Sequence, residues 1–293
     1  MEKKIAYVGI DYHMDFLSVA VMIEGAKKIY DTIRLANKDK VISKYFKKLA
    51  RKFDIHGCYE ASGSGYVFQR KMLSWGYNCE VIAPSLVPKK AGDHRKNDFR
   101  DALNLVRNYA AGLLSVVHPP TEEEEGVRTV VRCRVALKEH AKRVKQQING
   151  LVLGQGLRYP RSKWTLAHRS WLCQLQLPNE HVKECLQEYI ALLDYVETRI
   201  VRLDREIEQI AESEVYAPGV HKLRALKGIG TLGAMLLITE ITDFRRFASP
   251  GALMAYLGLI PSENSSGNKR VDGSITKAGN AKCRTQLIEA AQH

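Results

Sequence analysis

The chain has 293 residues, 45 Lys and Arg against 32 Asp and Glu, a formal charge of +13, and 45% hydrophobic residues. It is too apolar to be disordered and long enough for two modest domains. No apolar stretch approaches the ~20 residues of a membrane helix, and Met1 to Asp11 lacks a signal-peptide core, so we expect no membrane partner and a cytoplasmic location.

The first hundred or so residues alternate strands and helices. Ile5 to Ile10, Leu17 to Ile23 and Lys28 to Leu35 read as strands joined by tight connections, hence antiparallel. A helix over Asp39 to Phe53, a strand over Gly57 to Tyr59, a helix over Tyr66 to Trp75, a strand over Glu80 to Ala83 and a helix over Asp98 to Ala111 follow. The order β-β-β-α-β-α-β-α is that of a ribonuclease H-like (RuvC-like) sheet with helices on both faces. Two long helices come next, an amphipathic one over Val127 to Leu153 and one carrying a heptad seam of Leu186, Tyr189, Leu193, Val196, Ile200, Leu203, Ile207 and Ile210. The seam predicts a coiled coil, with a helix packed on its own domain as the alternative. Pro218-Gly219 punctuates the chain before a mostly helical last part. There Leu226-Lys227-Gly228-Ile229-Gly230 leads into the helix Thr231 to Ile241, a helix-hairpin-helix-like turn whose backbone amides at Gly228 and Gly230 could bind phosphate, or a glycine turn that packs two helices. The expected domains are 1–118, 119–215 and 216–293. The six cysteines show no metal-ligand spacing, and buried free thiols are expected.

Charge is concentrated. Between Val127 and Trp171 lie Arg128, Arg132, Arg134, Lys138, Lys142, Arg143, Lys145, Arg158, Arg161, Lys163 and Arg169 against Glu139 alone, which is +10 of the +13. Such a run suits a nucleic-acid backbone, where each neutralised phosphate releases counterions. Tyr159, Trp164 and Trp171 among these cations could stack on bases.

Four acids point to chemistry. Asp11 ends the first strand, Glu60 ends the fourth, and Asp98 and Asp101 share one helix face at i and i+3. Singly, each is an ordinary turn or surface acid. Jointly, the topology delivers them to one sheet edge, where like charges need neutralising, and two Mg²⁺ ions about 3.5–4 Å apart are the usual solution in phosphoryl transfer. Lys96, with Lys89, Lys90 and Arg95, would hold a negative substrate near them.

Gly9-Ile10-Asp11, Tyr59-Glu60-Ala61-Ser62-Gly63, Lys96-Asn97-Asp98-Phe99-Arg100-Asp101-Ala102, the Leu226 to Gly230 turn, and Tyr256 to Pro261 through Ser266-Gly267 to Thr276-Lys277-Ala278-Gly279-Asn280 occur in that order. In this the chain resembles the DEDD transposases of bacterial insertion sequences, relatives of the pilin-gene invertases and a group that includes bridge-RNA-guided recombinases. The resemblance implies that Asp11, Glu60, Asp98 and Asp101 are the DEDD acids. It also implies that Ser266, with Ser265 as its rival, attacks the DNA backbone to form a covalent phosphoserine. Donor and target DNA, a structured guide RNA and a dimer or tetramer assembled through the coiled coil are the implied partners. Family members continue through further helices, so 216–293 is expected to be truncated, and an inactive nucleic-acid-binding relative is one alternative. A metal-dependent nuclease or junction resolvase would share the acids without needing Ser266. An actin-like kinase would also open with Gly-x-Asp, but it needs a later Asp-x-Gly phosphate loop and no +10 segment.

Overall fold

Alternation along β1 (Ile5–Tyr12) sends Ala6, Val8 and Ile10, all fully buried, to one face of a sheet and Tyr7, Gly9 and Asp11 to the other. The computed structural model describes residues 3–61, 65–84, 87–88, 98–263 and 272–293. β1 pairs antiparallel with β2 (Phe16–Ile23), which pairs antiparallel with β3 (Ile29–Ala36). On its other side β1 runs parallel to β4 (Asp54–Glu60), and β4 parallel to β5 (Asn78–Ile82). A sixth strand, β6 (Val116–Val117), completes the order β3-β2-β1-β4-β5-β6; two residues are too few to leave a periodic signal in the sequence. α1 (Asp39–Ala50) and α2 (Val67–Ser74) cover the face of Val8 and Ile10 with Ile42, Phe46, Phe68 and Met72. α3 (Asp98–Ala110) covers the opposite face through Ala102, Leu105 and Val106.

The chain divides into two compact units, Met1–Pro119 and Pro120–His293, the first a mixed α/β layer and the second mostly helical. α4 (Glu122–Gly154) begins five residues earlier than the apolar pattern suggested, because Thr121 and Glu124 form a reciprocal capping box. α5 (Leu166–Gln174) is short, and α6 (Glu180–Ala211) returns antiparallel to α4, as the pairs Arg134–Asp204 and Lys145–Glu197, both at 2.7 Å, require. The heptad seam is spent inside the chain. Leu186, Leu193 and Val196 bury against Ala141, Val144, Ile148 and Val152 of α4, and Ile207 against Val131. The seam expected to bind another subunit is therefore covered by α4.

Beyond α6 come α7 (Ala217–Arg224), with Pro218 in its first turn, α8 (Thr231–Ile241) and α9 (Pro250–Tyr256), then β7 (Pro261–Glu263), β8 (Asp272–Ile275) and α10 (Ala281–Ala290). Where the sequence suggested a break near 216, Val131 and Ile207 share one core with Val220, Met235 and Cys283. Two glycines bolt the base of the β7–β8 hairpin: Gly258 and Gly279 both have positive φ, and a Cβ at either would sit 2.0 Å from the carbonyl oxygen of Ala278 or Tyr256 respectively. Ser266 and Ser265 belong to the connection between β7 and β8, outside the described residues. Cys58, Cys79 and Cys283 are buried, whereas Cys133, Cys173 and Cys185 are exposed on helix surfaces, contrary to the expectation of buried thiols. Among the described residues no helix is long and apolar enough to cross a membrane.

A buried carboxylate ties α4, α8 and α10 together. Glu240 accepts two hydrogen bonds of 2.7 Å from Arg132 and one of 2.7 Å from Asn280, while Arg128, itself buried, donates to the Thr239 carbonyl at 2.7 Å. Burial alone would raise the Glu240 carboxyl, but the hydrogen bonds and charge of Arg132, the charge of Arg128 and the Asn280 amide outweigh it and hold the group below its ordinary 4.5. Because the folded-state value is the lower one, this stabilisation is complete above the unfolded value and is lost as pH falls through the folded one. Arg132→Met, which strands the carboxylate, should cost about 3 kcal/mol at neutral pH in urea denaturation. Glu240→Gln should flatten the loss of stability below pH 4.5; an unchanged acid limb would assign that loss to other carboxylates.

Candidate active site and charged helix

The register places a polar row across four strands. Ile10 pairs with Tyr59 in the parallel ladder, so Asp11 and Glu60, next on each strand, lie side by side at the tips of β1 and β4. Asp11 pairs with Ser18 of β2, and Ser18 with Arg34 of β3. Glu60, Asp11, Ser18 and Arg34 thus share the face that α3 covers.

α3 comes unusually close to this row. A Cβ on Gly9 would lie 2.4 Å from the Ala102 carbonyl oxygen and 2.6 Å from the Val106 amide nitrogen, so only glycine lets the helix lie on β1 at this distance. With α3 seated there, its first turn brings Asp98 and Asp101 to the strand tips. Arg34 Nη2 donates to Asp98 Oδ2 at 2.8 Å, with its guanidinium 4.2 Å from the Phe16 ring centroid and 5.4 Å from that of Phe99. His13 Nε2 shares a hydrogen bond with Asp11 Oδ2 at 2.9 Å and lies 3.8 Å from Asp98 Oδ1.

Burial raises the Asp11 carboxyl above its ordinary value of 3.8, the His13 hydrogen bond and charge pull it back in part, and the like charges of Asp101 and Asp98 add to the rise. Burial and these neighbouring charges therefore disfavour the ionised form of Asp11, the condition that a bound cation relieves. Ser18 Oγ is fully buried and has no hydrogen-bond partner among the described residues. Ligand atoms of Asp11 and Asp98 held this close together, with His13 beside them, suit a divalent metal.

The β1–β4 register sets Asp11 beside Glu60, and Asp98 and Asp101 are close enough for their charges to act on the Asp11 carboxyl; among the described residues the group with ligand atoms in reach of one ion is Asp11, His13 and Asp98, and Lys96 lies outside them. The sequence reading missed His13 and Arg34. His13 left one signal, its position two residues after Asp11; Arg34 is 64 positions from its partner and left none.

The cationic segment of the second unit is partly neutralised from within. Arg128 and Arg132 serve the Glu240 cluster, Arg134 pairs with Asp204, Lys145 with Glu197, and Arg169 with Asp194 and Glu197. Lys138, Lys142, Arg143, Arg158, Arg161 and Lys163 remain exposed, with no ion pair among the described residues. Arg128, Arg132, Arg134 and Lys145 are therefore structural cations, a correction to their reading as free nucleic-acid contacts. Tyr159, Trp164 and Trp171 gather around buried His168 at 4.8–5.8 Å between ring centroids, with Tyr159 5.1 Å from Trp171, rather than standing apart as base platforms. Gly228 has φ +82°, and a Cβ there would lie 2.4 Å from the Ala290 carbonyl oxygen, so packing on α10 explains this glycine; Gly230 is the uncapped N-cap of α8.

Comparison with known families places the chain. A DEDD transposase family of the IS110 group matches residues 8–155, a span that contains all four acids, and the transposase family IS116/IS110/IS902 matches residues 220–293. The chain belongs to the IS110-family DEDD transposases. It is 36% identical over 289 residues to y4qE of Sinorhizobium fredii, a protein named as a transposase, covering 98% of this chain and 71% of that one. It is 34% identical over 251 residues to the transposase for insertion sequence element IS1533 of Leptospira borgpetersenii, covering 84% and 72%. With the transposase for insertion sequence element IS1111A of Coxiella burnetii the identity is 27% over 298 residues, covering 99% and 78%. As an IS110-family transposase it is an enzyme that acts on DNA.

The seating of α3 can be tested directly. Gly9→Ala should destabilise the N-terminal unit by about 1–3 kcal/mol in urea and raise amide exchange along α3. Unchanged exchange would mean that the helix accommodates the methyl group without moving.

Proposed function

We propose that this transposase cuts and rejoins DNA strands at the Asp11, Glu60, Asp98 and Asp101 cluster, with Ser266 as nucleophile. The observation that supports the reading is the nearness of Asp98 and Asp101 to Asp11 at the β1 tip, beside Glu60 at the β4 tip, where burial and these two carboxylates raise Asp11. The four acids would hold two Mg²⁺ ions, which when bound supply Lewis-acid stabilisation of charge on the transferring phosphate. Arg34 fixes the Asp98 carboxylate, and the α3 backbone on Gly9 sets its distance from Asp11. Ser266 would attack phosphorus, displacing a DNA hydroxyl oxygen that leaves with a proton, to form a phosphoserine linkage; transfer of that phosphoryl group to another strand's hydroxyl restores the serine.

Donor and target DNA, and a structured guide RNA, are the nucleic acids we propose as partners, in the bacterial cytoplasm. Lys138 and Lys142 line a groove of about 900 Å³ with Lys282, Thr285 and Gln286 of α10, and this is the surface we assign to the phosphate backbone, together with Arg143, Arg158, Arg161 and Lys163; Lys96 of the first unit and the backbone amides of the Gly228–Gly230 turn are separate contacts that we propose. Strand exchange needs more than one active centre, so the working form is an oligomer, assembled through surfaces other than the α6 seam.

Two experiments test the reading. Trapping the protein on supercoiled DNA with the element's own ends should give a covalent adduct that is lost in Ser266→Ala and in Asp101→Asn while DNA binding persists. An adduct surviving Ser266→Ala would transfer the role to Ser265, and metal-dependent cutting without any adduct would make the enzyme a nuclease. Changing Lys138, Lys142 and Arg143 together to Gln should reduce the slope of log K against log salt by about 2–3 on duplex DNA, read by fluorescence anisotropy, whereas Arg134→Gln should lower stability and leave the slope alone.

A further inference from the structure

We propose that His13 is a nitrogen ligand of the catalytic cation, giving this site a preference for Mn²⁺ over Mg²⁺. The inference rests on the reading of Asp11 and Asp98 as metal-holding acids and adds a donor of different chemistry to them. One ligand atom from each of Asp11, His13 and Asp98 can be chosen so that all lie within 4.8 Å of one another, within reach of a single ion. Nε2 is the imidazole atom that faces both carboxylates, 2.9 Å from Asp11 Oδ2 and 3.8 Å from Asp98 Oδ1.

The backbone that carries the imidazole is fixed without help from the acids. The His13 amide donates to the Phe16 carbonyl at 3.0 Å, closing the β1–β2 turn, and the Asn37 side-chain amide donates to the carbonyls of His13 at 3.0 Å and Met14 at 3.1 Å and to the Tyr12 hydroxyl at 2.9 Å. The His13 ring lies 4.8 Å from the ring of Phe16. A histidine that merely braced this turn would not need to reach Asp11, because Asn37 and the backbone already brace it. What its ring adds is a nitrogen ligand atom at the carboxylate cluster, available once a cation displaces the proton that Nε2 shares with Asp11 and the remaining N–H lies on Nδ1. Mn²⁺, though it too favours oxygen, is a first-row transition ion that accepts an imidazole nitrogen more readily than Mg²⁺, which keeps oxygen ligands and gives up water reluctantly.

The test uses the full chain with Mn²⁺ or Mg²⁺ alone, by calorimetry and by pulsed electron paramagnetic resonance of bound Mn²⁺. Wild-type protein should bind Mn²⁺ with a directly coordinated nitrogen signal. His13→Gln, with its fold checked by thermal melting, should lose that signal and weaken Mn²⁺ about tenfold, leaving Mg²⁺ within about twofold. Mn²⁺ binding that depends on Asp11 but shows no nitrogen signal, or a signal that survives His13→Gln, overturns the His13 assignment and leaves the acids in their role. Mn²⁺ binding that is absent, or indifferent to Asp11→Asn, overturns both readings.

Discussion

A methyl group on Gly9 would meet the Ala102 carbonyl oxygen at 2.4 Å and the Val106 amide nitrogen at 2.6 Å, so α3 rests directly on the backbone of β1. This contact decides where the first turn of α3 lies, and with it Asp98, Asp101 and the reach of Arg34. β-sheet alternation fixes the other partners: the same side of β1 that must be bare at residue 9 carries a carboxylate at residue 11, and the ladders put Ser18 and Arg34 in line with it. The electrostatic tension at Asp11 follows from this packing, since a helix seated so closely removes water from a site that already holds like charges.

In the helical unit the governing interaction is the mutual neutralisation of α4 and α6. A basic helix and an acidic one bury a common apolar seam and pair across its edges, Arg134 with Asp204 and Lys145 with Glu197, while Arg169 of α5 joins the α6 acids. What looks in the sequence like a surplus of +10 is therefore partly internal, and the cations left for a partner form a narrower set along α4 and the segment after it. The Glu240 cluster plays a parallel role at the other end of α4. Asn280, which caps α10 through Lys282 and Cys283, also donates to Glu240, so the base of the β7–β8 hairpin is anchored to a buried charge.

Much of the first unit was legible because its elements are periodic. Period-two burial in Ile5–Tyr12 and the apolar spacing of Ile42, Phe46 and Leu49 dictate strand and helix, and short connections dictate antiparallel pairing. The acids at residues 11, 60, 98 and 101 were legible because topology carries strand ends to one edge. The heptad seam was legible as a seam, but its partner was not, since a 3-4 spacing is equally satisfied by a helix of the same chain. Arg134–Asp204, separated by 70 positions, leaves no local trace, so free and structural cations look alike in sequence. Arg34 escaped for the same reason. Its residue type suits an exposed strand, and only the placement of α3 gives it Asp98 as a partner. Helix-surface cysteines such as Cys133 and Cys173 escaped because burial tendencies of a residue type do not determine individual positions.

The central claim is that the tips of β1 and β4, closed over by α3, form a cation site. Anomalous diffraction from crystals soaked in Mn²⁺ tests it most directly. The account predicts a peak in contact with the Asp11 carboxylate and surrounded by Glu60, Asp98 and Asp101. A fully occupied Mn²⁺ peak elsewhere, with Asp11 still bonded to His13 and Asp98 still paired with Arg34, would contradict it.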